Sequence, residues 1–222
     1  MITKENVEIL RSADEYLAWF SQILQKTKEE PNKRHQSRLH KGGYKFFYEE
    51  IFPVASLLKI KGKEWNGARF RNIMGNQPYD VEIEGMGIKY FEIASTTFDD
   101  GERFRMIELS NEGSVDVLGR IKRNIKGKPI DIENRGEARS KNDVVLEITE
   151  LITDRISKKS GKNYPEQTAL IVYFDDYKIE INEKDKTLLK NVLDETKSQW
   201  SETFVHVYLI GPRAENCIEM IR

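Results

Sequence analysis

Tyr79-Asp80-Val81-Glu82-Ile83-Glu84, then Gly85-Met86-Gly87, then Ile88-Lys89-Tyr90-Phe91-Glu92-Ile93-Ala94 is the stretch that decides the fold. Each flank alternates or runs rich in β-branched and aromatic residues, and the glycines between them permit a tight reversal. This pattern predicts a β-hairpin. Just upstream, Ala68-Arg69-Phe70-Arg71-Asn72-Ile73 has the same character and is set off by Gly75-Asn76-Gln77-Pro78, so three neighbouring strands are expected. Side chains on a strand repeat every two residues, which places Asp80, Glu82 and Glu84 on one face and Tyr90, Glu92 and Ala94 on one face of the partner. Eleven residues separate Asp80 from Glu92 across the turn, so the two carboxylates can sit side by side.

Outward from the hairpin the period changes. Residues 5 to 28 carry Val7, Ile9, Leu10, Tyr16, Leu17, Phe20, Ile23 and Leu24 at near-helical spacing and end in Lys28-Glu29-Glu30-Pro31-Asn32, predicting one or two helices. Tyr44, Phe47, Tyr48, Ile51, Phe52, Ala55 and Leu58 resume a helical stripe, with Pro53 placed to kink it. Downstream, residues 99 to 141 are glycine-rich and charged, with short ordered pieces at 105–109 and 115–121, and are expected to leave the main sheet. Ser140-Lys141-Asn142-Asp143 reads as a helix start, and Val144, Val145, Ile148, Leu151, Ile152 and Ile156 continue as its apolar stripe to Ser160-Gly161. Residues 168–174 and 204–210 are continuous apolar runs, as in strands covered on both faces, with a helix expected between them at 186–200. The order predicts an α/β sandwich with a mixed sheet. No repeat or low-complexity linker divides the chain, so residues 1–222 are read as one domain: N-terminal helices at 5–60, a core at about 65–210, and the irregular excursion at about 99–141.

Composition narrows the function classes. With 38% hydrophobic and 33% charged residues the chain is too apolar to be disordered and too charged to live in a bilayer. It has no apolar run long enough for a transmembrane helix and no basic-then-apolar start, so a cytoplasmic location and no membrane partner are expected. The single cysteine, Cys217, excludes an intramolecular disulfide and a cysteine metal cluster, and reads as a small packed residue. A net charge of −1 supplies no global attraction for nucleic acid, which would need a local patch.

Two carboxylates on adjacent strands make the oxygen-rich environment that Mg²⁺ prefers, since that ion takes one or two carboxylates and keeps several waters. Pro78-Tyr79-Asp80, eleven residues, then Glu92-Ile93-Ala94, with helices before and after and an apolar strand beyond, resembles the PD-(D/E)XK nuclease superfamily over roughly residues 44 to 175. The resemblance implies an α/β/α sandwich around a mixed central sheet, restriction endonuclease-like. It also implies metal-dependent hydrolysis of nucleic-acid phosphodiesters, with Asp80, Glu92 and the Ile93 carbonyl holding Mg²⁺ or Mn²⁺. The helix before the strands often adds an acid in such folds, which would be Glu49 or Glu50, with Glu50 as the catalytic candidate. Two departures stand out: Tyr79 separates the proline from the aspartate, and Ala94 occupies the position of the lysine that orients the attacking water. Lys89, Lys122 and Lys141 are the candidates for replacing it, a partner protein or second copy of the chain is another source, and a catalytically inactive nucleic-acid-binding or protein-interaction module on the same fold is the alternative.

Residues 120 to 141 hold eight basic residues against three acids, a surplus of five. Within this patch Lys122, Arg123, Lys126, Arg139 and Lys141 are candidate contacts to DNA or RNA phosphates. Lys33-Arg34-His35-Gln36-Ser37-Arg38 with His40 and Lys41 forms a second basic cluster, next to Tyr44, Phe46, Phe47 and Tyr48. Those rings read more readily as core than as base-stacking platforms, and His35 and His40, five apart, do not have zinc-ligand spacing. Asp175-Asp176 at the end of an apolar strand reads as a turn. The sequence contains no phosphate-binding glycine-lysine loop, no dinucleotide glycine fingerprint and no glycine-flanked nucleophilic serine.

Overall fold

The apolar run at 168–174 is the middle of the molecule. In the computed structural model, which describes residues 2–39, 41–96, 100–113, 120–133, 140–174, 181–213 and 217–222, every residue of its strand is buried. The elements in chain order are α1 (Lys4–Val7), β1 (Arg11–Ser12), α2 (Ala13–Glu29), α3 (Pro31–Arg38), α4 (Gly43–Phe46), a π-helical turn (Phe47–Ile51) and α5 (Phe52–Lys61). Next come β2 (Arg69–Asn72), β3 (Val81–Glu84), β4 (Tyr90–Ser95), α6 (Asp100–Glu112), β5 (Arg120–Arg123) and β6 (Pro129–Glu133). The last are α7 (Lys141–Ser160), β7 (Thr168–Tyr173), α8 (Glu183–Glu195), α9 (Lys197–Trp200), β8 (His206–Ile210) and β9 (Cys217–Ile221).

Seven strands form one mixed sheet in the order β1-β2-β3-β4-β7-β8-β9. The β1 to β4 part is antiparallel, β4, β7 and β8 run parallel, and β9 closes the far edge antiparallel to β8. Alternation along β7 sorts the core: Ala169, Ile171 and Tyr173 pack with α2, the π turn and α5, while Leu170 and Val172 pack with α7, α8 and α9. Helices therefore cover both faces, as the unbroken apolar runs required. Each fully buried Leu, Ile or Phe contributes about 1.5–3 kcal/mol, so truncating Ile171, which has no exposed surface, would cost about 2–5 kcal/mol.

Local chemistry explains where the elements break. Within the predicted 5–28 helical region, residues 11–12 are a short strand, because Ser12 restarts the helix. Its hydroxyl accepts from the Glu15 N–H at 3.3 Å, and the Glu15 carboxylate accepts from the Ser12 N–H at 2.8 Å. Pro53, expected to kink its helix, stands at the second residue of α5, directly after a π turn. Proline has no N–H to give Glu49 and its ring crowds that carbonyl, while the Phe52 N–H reaches back five residues to Phe47. Residues 100–112, expected to be mostly irregular, form α6, and β5 with β6 makes a separate two-stranded sheet outside the main one. Strand β9, with half-buried Cys217, was not read from the sequence at all. Among the described residues no helix is long and apolar enough to cross a membrane.

Candidate functional site: an acid-lined fork in the sheet

Strand β3 leaves β4 early. The two pair only at Val81 with Phe91 and Glu82 with Tyr90, whereas β7 accompanies β4 from Tyr90 to Ser95. Among the described residues, one edge of β4 thus has no strand beside it from Glu92 onward. Asp80 fills the gap: its N–H donates to the Phe91 carbonyl at 2.9 Å, and its Oδ2 accepts from the Ile93 N–H at 2.7 Å. A carboxylate takes the place of a strand partner at this fork. The N–H and C=O of one strand residue leave the same edge, so the Ile93 carbonyl also faces the Asp80 side.

Helices from both faces converge on the fork. Phe91 and Ile93 belong to the first core, which turns Glu92 and Ala94 toward α7. There the Lys159 ammonium donates to Glu92 Oε1. One turn earlier the Arg155 Nε–H donates to the Ser95 carbonyl at 3.0 Å. From the other side the π turn presents Glu49 and Glu50, and Glu50 Oε2 is buried with no hydrogen-bond partner. Helical π turns recur at functional sites because the extra residue re-aims side chains. Glu49, Glu50, Asp80, Ile93, Ala94, Ser95, Arg155 and Lys159 line an open cleft of about 330 Å³.

Its electrostatics are frustrated. Burial, reinforced by the charges of Asp80, Glu49 and Glu92, pushes the Glu50 carboxyl up to about 9. Burial and the Glu92 charge push Asp80 up to about 7, against the opposing pull of the Ile93 N–H and Lys159. Burial also raises Glu49, and burial followed by the nearby Glu92 carboxylate raises the Tyr164 hydroxyl. Carboxyls held this way in a cleft bind a proton more readily than usual, and bind a cation for the same reason. Among the described residues no three His, Cys, Asp or Glu side chains stand ready at metal-binding spacing. The donors at the fork are instead the Asp80 and Glu92 carboxylates and the Ile93 carbonyl, with Glu50 behind them. The orphaned Glu50 oxygen fits a hard divalent cation or one of its waters.

The structure thus brings Asp80, Glu92, Ile93 and Glu50 together, and the lysine beside them is Lys159. Lys89 is exposed and its main chain is tied to Ile83 and Gln167. Lys122 lies on the β5–β6 hairpin, and Lys141 pairs with Asp185 at 2.6 Å. Lys141 opens the 20-residue α7 that Lys159 nearly closes, so the two lie roughly 27 Å apart along the axis. None of these three lysines lines the cleft. Lys159 does, and the signal for it was present: it follows Ile152 and Ile156 at helical spacing, a charge at the end of an inward-facing stripe.

The predicted phosphate contacts are not gathered at the cleft. Lys122, Arg123 and Lys126 are on the hairpin, Lys141 is at the other end of α7, and Arg139 lies outside the described residues. Among the described residues, Arg155, Lys159 and exposed Lys162 are cations near the acids, as is Lys45, which reaches Glu49 at 3.9 Å, and Lys162 helps to oppose the rise of Asp80. His35 is exposed, Tyr44 and Phe47 are core, and Tyr48 is half-buried with its hydroxyl bonded to Ser37 at 2.6 Å. His40, Asp175 and Asp176 lie outside the described residues. No family model matches the sequence, and no curated protein or solved structure matches the chain, which leaves the fork itself as the ground for a functional reading.

Proposed function

We propose that the chain is a divalent-metal-dependent nuclease built on a restriction endonuclease-like α/β/α plan, acting on DNA or RNA phosphodiesters. The observation that carries this reading is the meeting of Asp80, Glu92, Glu50 and Lys159 at one fork, from two strands and two helices on opposite faces. Asp80, Glu92 and the Ile93 carbonyl would hold Mg²⁺ or Mn²⁺. Bound there, the ion supplies Lewis-acid charge for the phosphoryl oxygens and lowers the pKa of a coordinated water.

The chain's own groups divide the remaining work. Lys159 stands in for the lysine absent at position 94: held by Glu92, its ammonium offers donors to a water or a phosphate oxygen beside the acids. Glu50, its carboxyl raised and one oxygen unpartnered, is the group beside the acids that would hold or exchange a proton with water. Arg155 and Lys162 supply charge for the phosphates to either side of the scissile one. Ala94, small and buried under α7, leaves room for the Lys159 chain. The competing reading is a nucleic-acid-binding or protein-interaction module with a closed site. It draws on the same Lys159–Glu92 ion pair, which neutralises one acid without a metal.

Cleavage of single- and double-stranded DNA and RNA with Mn²⁺ or Mg²⁺, beside Asp80→Asn and Lys159→Met, separates the two. The nuclease reading expects metal-dependent cleavage that drops about 10²-fold or more in each variant, together with a metal-induced rise in melting temperature that Asp80→Asn removes. Absence of cleavage on every substrate, with no metal-induced stabilisation, would leave the binding module.

A further inference from the structure

The β5–β6 hairpin carries a feature that the acid site does not use. Ile125, at its apex, is fully exposed at 108%, nearly twice the value of the next large hydrophobic, Ile221 at 59%. A loose loop would let such a side chain fold back. Here the backbone of the turn around it is braced. Asn124 Oδ1 accepts from the N–H groups of Lys126 and Lys128 at 2.9 and 3.0 Å, and the Asn124 N–H donates to the Lys128 carbonyl at 2.9 Å. Gly127 supplies the positive φ of 74° that closes the turn, and its carbonyl accepts from the Arg123 guanidinium at 2.9 Å. Ile132, by contrast, is turned inward and buried. Between 121 and 132 there are four basic residues and one acid. An apolar apex is thus held in water on a rigid, positively charged ribbon.

We infer that this hairpin is a DNA-gripping finger: Ile125 wedges between base pairs from the minor groove of a duplex while Lys126 and Lys128 hold the flanking phosphates. The chemistry is that of an apolar side chain inserted at a base step, with cations beside it. Pre-ordering of the turn removes most of the entropy cost of placing it. A bilayer is the poorer match, since one isoleucine buries far fewer methylene groups than a myristoyl chain, which by itself binds membranes only marginally. Topology adds a link to the cleft. The hairpin interrupts the connection between β4, which carries Glu92 and Ile93, and α7, which carries Arg155 and Lys159. The inference deepens the nuclease reading by naming duplex DNA, and rests on it for biological purpose but not for binding.

The test is metal-free binding to a short DNA duplex carrying 2-aminopurine, read by anisotropy and by 2-aminopurine fluorescence. Wild type should bind and brighten the probe. Ile125→Ala should bind about tenfold more weakly and lose the brightening, while Ile125→Leu keeps both. Lys126→Gln with Lys128→Gln should flatten the salt dependence by about two units of slope. Unchanged affinity and fluorescence in Ile125→Ala would overturn the finger, as would a wild type that ignores the duplex and sediments with anionic vesicles. A wild type that binds and unstacks the duplex but never cleaves it with Mn²⁺ supports the finger and sinks the nuclease reading alone.

Discussion

Two groups of acids in this protein differ in one respect, and the difference separates structure from chemistry. At the far edge of the sheet, Glu219 on β9 is fully answered: Lys61 reaches it at 2.9 Å and His206 Nδ1 lies at 3.2 Å, with Lys61 also joined to Glu64 at 2.9 Å. Burial pushes the Glu219 carboxyl up, yet Lys61, Tyr208 and His206 outweigh it and hold the group below its usual range. At the fork, three strands away beside β4, burial is opposed by too few partners, and Asp80 and Glu50 are held above theirs. Both acids face a cleft. A satisfied carboxylate stabilises the fold, whereas crowded carboxyls cost stability that a cation or a proton must return.

The largest effect that would break the comparison is on metal binding. Asp80→Asn should abolish Mn²⁺ binding in calorimetry and reduce cleavage about 10²-fold or more, with the fold retained. Glu219→Gln should leave both intact. Next comes Lys159→Met, which strips the buried Glu92 of its ion-pair partner. It should lower thermal stability by about 1–3 kcal/mol, less than a fully enclosed pair would lose because the lysine retains some exposure. Adding Glu92→Gln should recover part of that loss.

The pH dependence sharpens the comparison further. Asp80 and Glu50 bind protons more tightly in the folded state than in the unfolded one. The metal-free protein should therefore lose stability as pH rises from the ordinary carboxylate range through about 7 for Asp80 and about 9 for Glu50. Each kcal/mol should appear as roughly 2–4 °C of melting temperature in a chain of this size. Glu50→Gln should flatten the curve, and saturating Mg²⁺ should do so without mutation. A melting temperature indifferent to pH between 5 and 9 would falsify the frustration at the fork. Glu219 has the opposite sign: its contribution is present above its unfolded pKa and disappears as pH falls through its lowered folded value. The smallest effect is expected for Glu219→Gln at neutral pH, about 1 kcal/mol in thermal unfolding, with no change in cleavage.

The halves of the site were unequally legible in the sequence. Asp80 and Glu92 could be paired because a hairpin is local: a glycine turn and a two-residue period bring them together without reference to the rest of the chain. Glu50 was a weaker reading, since a helical stripe indicates which face is buried but not what lies opposite. Its aim depends on the π turn that directly precedes the helix of Pro53. Lys159 was missed because it stands 67 residues from Glu92. The inward stripe of Ile152 and Ile156 marked its face of the helix, but spacing along the chain carries no record of what lies opposite that face until α7 is laid across the sheet. Strand β9 was missed for a related reason: an edge strand is defined by its neighbour as much as by its own residues.

What the sequence determined by itself was everything with a short period: two strands joined by glycines, an inward stripe on the 141–160 helix, two apolar runs destined for the buried centre, and an acid pair across a turn. These follow from side-chain direction and local sterics, which act over a few residues. Only the tertiary structure decided that β3 leaves β4 early, that a carboxylate fills the gap, that Glu50 arrives from one face and Lys159 from the other, and that Ile125 is held out in water. Those features arise from packing helices on both sides of a twisted sheet. The free energy of that packing is set by which distant surfaces can be buried together.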